Sequence, residues 1–159
     1  MPPLPRRRGP RPTTHTGLPH SQLDQQPDDP ALVGDLASHA FGLPAVSEGR
    51  SAVSVPGARA LLLDASSRQG PPEAFFAGGE FAHLHPAPDH SLHLCLPVAR
   101  AEEACAAGWA EHHPLVATGQ VPPTVVMVYA PRDAEELDVV KGLVDAAHRF
   151  ASTAASMTS

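Results

Sequence analysis

Between Phe81 and Leu96 two short runs alternate leucine with histidine on either side of a proline-containing turn. Successive side chains on a strand point to opposite faces, so such a run can satisfy only a sheet with one buried apolar face. A hairpin turn centred on Pro88 places His83 opposite His93, His85 opposite Ser91 and Phe81 opposite Cys95. All six share one face, while Ala82, Leu84, Leu92, Leu94 and Leu96 form the apolar layer on the other. In this pattern Glu80 falls with the leucines, Asp89 sits in the turn, and His90 beside it is solvated.

The flanking sequence supplies partners for that hairpin. Glu73 to Ala77 and Glu80 to His85 flank Gly78-Gly79, a dipeptide suited to a tight turn, which pairs Phe76 with Phe81 and adds aromatic surface to the histidine side. Ser51 to Val55 and Ala58 to Leu63, separated by Pro56-Gly57, predict another hairpin. A loop runs from Asp64 to Pro72, and another from Trp109 to Pro123 leads to a strand at Thr124 to Tyr129.

Three helices are expected. The first is capped by Asp29 with Pro30 at its start and ends at Gly42, and a short middle helix runs from Pro97 to Ala107, closed by Gly108. The last opens on a capping box of Asp133 and Glu136 and carries Leu137, Val140, Val144, Ala147 and Ala151 on one stripe. The order predicts a single α+β domain over residues 28–152, an antiparallel sheet with helices packed on one face. Residues 1–27 are rich in proline and are expected to form an extended or disordered arm, ordered at most where Gln22 and Leu23 approach the domain. Residues 153–159 are expected to be a disordered tail.

Charge narrows the function classes. A net charge of −6, with Arg6, Arg7 and Arg8 as the first positives, leaves no basic face for a phosphate backbone, which argues against a nucleic-acid partner. No window approaches the ~18 apolar residues of a membrane span, and Cys95 and Cys105 belong to no CxxC or disulfide framework. Reduced thiols in a cytoplasmic protein are the expectation. The loop from Asp64 to Pro72 holds no nucleophile elbow or phosphate cradle.

The histidine face has three readings that the residues leave open. It is a solvated outer sheet face, or a pocket for a small molecule, or a metal site in which His83, His85 and His93 ligate one ion.

Four motifs in order carry a resemblance: Phe81-Ala82-His83-Leu84-His85, then Ser91-Leu92-His93-Leu94, then Gly108-Trp109 with His113-Pro114-Leu115, then Tyr129-Ala130-Pro131-Arg132. Together they resemble the luciferase domain of fungal bioluminescence, strongly from about Glu80 to Phe150 and weakly in the arm at Gly9, Arg11-Pro12 and Gln22-Leu23. The resemblance implies an oxygenase that uses molecular oxygen as co-substrate on an aromatic enol or hydroxypyrone, with no metal or organic cofactor. The chain lacks the apolar membrane segment of those enzymes. In that chemistry His83 and His93 are the expected catalytic pair, one as base and one as its orienting partner, since facing strand positions bring their Cβ atoms about 5 Å apart. His85, His113, Trp109, Tyr129, Arg132, Phe76 and Phe81 are the expected ligand-binding residues. The element order is also similar to that of the MmcQ/YjbR-like proteins, a likeness that implies architecture alone. A binding module without turnover is the competing class.

Overall fold

The computed structural model of the chain describes residues 2–154; the rest of the expected tail, 155–159, lies outside the described residues. Helix α1 (Pro30–Phe41) begins as expected, with the Asp29 carboxylate accepting the Ala31 amide. Strands β3 (Val46–Arg50), β4 (Arg59–Leu63), β5 (Glu80–Leu84), β6 (Leu92–Cys95), β7 (Ala110–His112) and β8 (Val125–Val128) form one six-stranded antiparallel sheet. Its spatial order is β3-β4-β5-β6-β8-β7. Helices α2 (Val98–Ala106) and α3 (Ala134–Ser152) complete the domain, whose fold class is α+β as the sequence predicts.

The leucine layer is where the alternation puts it. Ala82, Leu84, Leu92 and Leu94 join Val126 and Val128 beneath Val140, Leu143, Val144 and Ala147 of α3 in one core, with Leu36 of α1 and Ala101 and Ala104 of α2 at its margins. At α3 the Asp133 carboxylate accepts the Glu136 amide, while the Glu136 carboxylate accepts the Arg132 amide rather than that of the cap itself. Leu94 is fully buried in this layer, and Leu94→Ala is expected to lower the unfolding free energy by about 2–5 kcal/mol in urea titrations, with an unchanged denaturant slope.

Three local expectations are corrected. The strand pairing with β4 is Val46–Arg50 rather than Ser51 to Val55, which forms the connecting loop. The reason is polar: the Ser51 hydroxyl donates to Glu80 and accepts the amides of Val53 and Ser54, a local turn that competes with a ladder. Glu73 to Ala77 is a 3-10 turn (Pro72–Ala74) and coil that contributes one bridge, Ala77 to Glu80, around Gly78, whose φ of +56° suits glycine. The loop after Trp109 hides the edge strand β7, too short for its alternation to be read.

A fourth difference reshapes the site. Leu61 faces Ala82 but Leu62 faces Glu80, so β5 carries an extra residue, Phe81, a β-bulge. Beyond the bulge the alternation inverts. Phe81 turns into the core against His148 of α3, and Glu80 swings to the histidine side.

The opposite face of the sheet is also covered. The arm forms a small ladder of β1 (Thr14–His15) and β2 (Ser21–Gln22) and lies against the domain along far more of its length than Gln22 and Leu23. Arg7, His20 and Gln22 are buried, while Leu23 is exposed. No helix among the described residues is long and apolar enough to cross a membrane, and both cysteines are free.

Candidate functional site

The register of the sheet lines up one row across four strands: His83 on β5 faces His93 on β6, which faces Met127 on β8, which faces Glu111 on β7. The predicted hairpin register holds, and the His85 amide donates to the Ser91 carbonyl at 2.9 Å. Burial excludes the solvated-face reading, because His83, His85 and His93 are only 2%, 5% and 4% exposed. A fourth ring, His20, reaches in from the arm and is itself buried.

These rings converge on His93. Its Nδ1 lies 3.2 Å from His83 Nε2 and 3.0 Å from His85 Nε2, and its Nε2 lies 2.9 Å from His20 Nδ1. Each surrounding ring is held from behind. His83 Nδ1 meets Glu80 Oε2 at 2.9 Å, and His20 Nε2 meets Glu111 Oε2 at 2.7 Å. His85 Nδ1 meets Ser91 Oγ at 2.9 Å, with Asp89 Oδ2 3.4 Å away, and Ser91 in turn donates to Asp89.

The carboxylates are themselves tied down. Glu80 accepts from the Ser51 hydroxyl at 2.6 Å and the Ala52 amide at 3.0 Å, and Glu111 accepts from the Tyr129 hydroxyl at 2.9 Å and from Thr14. Burial alone would raise the Glu80 and Glu111 carboxyls, but these donors and the adjoining imidazoles outweigh it and hold both below the ordinary range. Burial, reinforced by the neighbouring rings, pushes His93 well below its usual value and lowers His83 and His113 in the same sense.

A cavity of about 640 Å³ opens onto this floor, within the range of small-molecule pockets. Its walls are largely apolar and come from Leu18 and Pro19 of the arm, Val53 and Val55 of the β3–β4 loop, Phe75 and Phe76, and Leu115 and Val121. His83, His85, His93, His20 and His113 supply its imidazole surface.

The Luciferase domain family matches residues 78–147, the segment holding His83, His85, His93, Glu111 and His113. The luciferase of Armillaria ostoyae is 32% identical over 162 aligned residues, 92% of this chain, and that of Armillaria mellea is equally similar. The luciferase of Neonothopanus nambi is 42% identical over 69 residues, 42% of this chain and 26% of that protein. The chain belongs to the luciferase-like domain family. It spans 60% of the length of the Armillaria relatives. No solved structure matches it.

Within this luciferase-like domain, five of the nine site residues expected from sequence line the cavity: His83, His93, His85, His113 and Phe76. Phe81 does not, because the bulge turns it into the core. Trp109 is buried in the core and donates its indole N–H to the Pro5 carbonyl at 2.6 Å, pinning the arm. Tyr129 stands behind the site, donating to Glu111 and receiving Arg11 at 3.3 Å. Arg132 is remote, bound to Glu136, to Gln25 and to the Arg8 carbonyl.

Arg132 nevertheless makes the luciferase-like domain sensitive to acid. Burial would raise the Glu136 carboxyl, and the hydrogen bonds from Arg132 more than offset it, leaving it lowered. A depressed folded-state value means the contribution is present at neutral pH and is lost as pH falls through the carboxylate range. Urea unfolding at pH 7 and pH 4 is therefore expected to show stability falling with acid, and Arg132→Gln is expected to flatten that fall.

Sequence reasoning missed Glu80, Glu111 and His20. The bulge concealed the first and a three-residue strand the second. The one hint for His20 was its position two residues before Gln22-Leu23, the part of the arm expected to approach the domain.

Proposed function

We propose that this luciferase-like domain binds a small planar organic molecule in the cavity and acts on it as an oxygenase, with an acidic aromatic enol or hydroxypyrone as substrate and molecular oxygen as co-substrate. One observation carries this reading: apolar walls and an inward-facing imidazole floor meet in a single cavity of about 640 Å³. A flat ring gains burial between Phe75, Phe76 and Val121, while its acidic hydroxyl is directed toward His83 and His93. Kinship with proteins named luciferase supports the choice of reaction class.

In the reaction the enol O–H proton leaves to an acceptor in the imidazole floor. The electron-rich enolate carbon then forms a C–O bond to oxygen, so the carbon is oxidised as oxygen is reduced to the peroxide level. A preorganised N–H donor facing the new anion favours both steps, and His113 at the cavity wall, whose Nδ1 accepts the Leu115 amide, presents its Nε2 proton for that role.

The test is an oxygen electrode run over a panel of hydroxypyrones and phenols. Substrate-dependent oxygen uptake is expected, falling by about 10²–10⁴-fold in His83→Ala. Absence of uptake with every enol, and no difference between wild type and His83→Ala, overturns the reading. Saturable binding without uptake would leave a binding protein.

A further inference from the structure

Three contacts of about 3 Å surround His93, and proton counting decides what they can be. Glu80 is a carboxylate that already accepts from Ser51 and Ala52, so the His83 nitrogen facing it, Nδ1, carries a proton and donates. Ser91 donates its hydroxyl hydrogen to Asp89, so it accepts from His85, whose Nδ1 likewise carries the proton. Glu111 accepts from Tyr129 and Thr14, so His20 Nε2 carries a proton as well. The inner nitrogens, His83 Nε2, His85 Nε2 and His20 Nδ1, are therefore lone pairs, all aimed at His93.

A neutral His93 has one ring proton for its two sides. Placed on Nε2, it satisfies His20 and leaves Nδ1 as a third lone pair facing those of His83 and His85 at 3.2 and 3.0 Å. Placed on Nδ1, it leaves two lone pairs facing each other across 2.9 Å toward His20. Either arrangement holds bare acceptors in contact, which buried polar groups avoid unless a positive centre lies between them.

We propose that His83 Nε2, His85 Nε2 and His93 Nδ1 form a facial three-imidazole site for a divalent first-row transition ion, with its open coordination position directed into the cavity. The ligand atoms all lie within 4.8 Å of one another, and two separations of 3.0 and 3.2 Å approach the ~3.3 Å edge of a tetrahedron with 2.0–2.1 Å metal–nitrogen bonds. Every ligand has the outer partner expected of a metal-bound imidazole: Glu80 behind His83, Ser91 and Asp89 behind His85, and the chain His20 to Glu111 behind His93. Three neutral nitrogens with a free position suit zinc, cobalt, nickel or iron in place of a hard, oxygen-seeking cation.

A neighbouring group, His20, His93 and His113, is also compact but is chemically unfit. The Leu115 amide donates to His113 Nδ1 at 3.1 Å, so a neutral ring bears its proton on Nε2 and offers no free pair. His20 is likewise committed to His93.

This inference deepens the proposed oxygenase reading, since the ion's open position faces the bound enol, and it replaces the cofactor-free form that the resemblance implies: with the lone pairs of His83, His85 and His93 on the ion, the enol proton leaves to solvent rather than to those rings. The full chain, stripped by a chelator, is titrated with Co²⁺ while visible ligand-field absorption and the thermal midpoint are followed. The expected result is one equivalent per chain, a raised midpoint and displacement by Zn²⁺. The double variant His83→Ala with His85→Ala is expected to lose the absorption, Glu80→Gln to bind about 10–100-fold more weakly, and His113→Ala to retain one equivalent. A folded wild type that takes up no cobalt, a double variant that binds as well as wild type, or loss of the ion in His113→Ala overturns the site. Oxygen uptake by metal-free protein that added metal does not raise removes this inference and leaves the oxygenase standing. One bound equivalent with no uptake on any enol does the reverse.

Discussion

His93→Leu is expected to lower oxygen uptake by about 10²–10⁴-fold while changing the unfolding free energy by no more than about 1 kcal/mol. The ring it removes is the hub of the cluster, the only one in contact with His83, His85 and His20 together. Substituting an apolar side chain takes the His93 nitrogens out of the crowd of lone pairs, and that relief offsets the acceptor left unpaired on His20, so the net cost to folding is small. A site that keeps a destabilised arrangement for chemistry is the situation in which function and stability separate. Steady-state oxygen uptake and urea unfolding on the same preparation check both halves. Parallel losses in both would instead mark His93 as a packing residue.

The opposite signature is expected one shell out. Glu80 is buried at 1% exposure and accepts hydrogen bonds from Ser51, Ala52 and His83, which lie on two separate segments. Glu80→Ala leaves all three donors without an acceptor, the Ala52 amide among them, and releases the loop that walls the cavity. Breaking such a buried charge-assisted network is expected to cost about 3–5 kcal/mol in denaturant titrations. Uptake then falls as well, because the His83 ring loses the contact that fixes its tautomer. The conservative Glu80→Gln keeps an acceptor oxygen and is expected to recover much of the stability.

Those two residues also mark where the sequence was legible and where it was not. The pairing of His83 with His93 follows from hairpin arithmetic alone, because leucines that must be buried fix the register of both strands at once. The caps of α1 and α3 were equally readable, since Asp29 and Asp133 act on amides within their own first turn. Glu80 was assigned to the wrong face because period-two reasoning assumes an unbroken ladder, and nothing local at Phe81 announces an extra residue. The inverted alternation then serves both faces, sending Phe81 to the core and a carboxylate to the imidazoles.

Long-range contributions were harder still. Glu111 sits on a strand of three residues, in which alternation has no length to develop, and its role depends on β7 pairing with β8. His20 lies in a proline-rich arm whose composition argues against a packed element, yet it is 73 residues away from the ring it contacts. Anchors spread over the domain hold that arm: Trp109 on Pro5, Arg11 on Tyr129 and Arg132 on Gln25. Tyr129 and Arg132, expected to touch a ligand, brace the segment that delivers His20 instead.

The direct check on the imidazole floor as the working site is long-range proton–nitrogen NMR of the histidine rings while a hydroxypyrone is added. The ring nitrogens of His83, His85 and His93 are expected to shift together and saturably, with His39 and His148, which lie outside the cavity lining, unchanged. Shifts confined to rings outside the cavity, or no shift in any ring at ligand concentrations that support uptake, would contradict it.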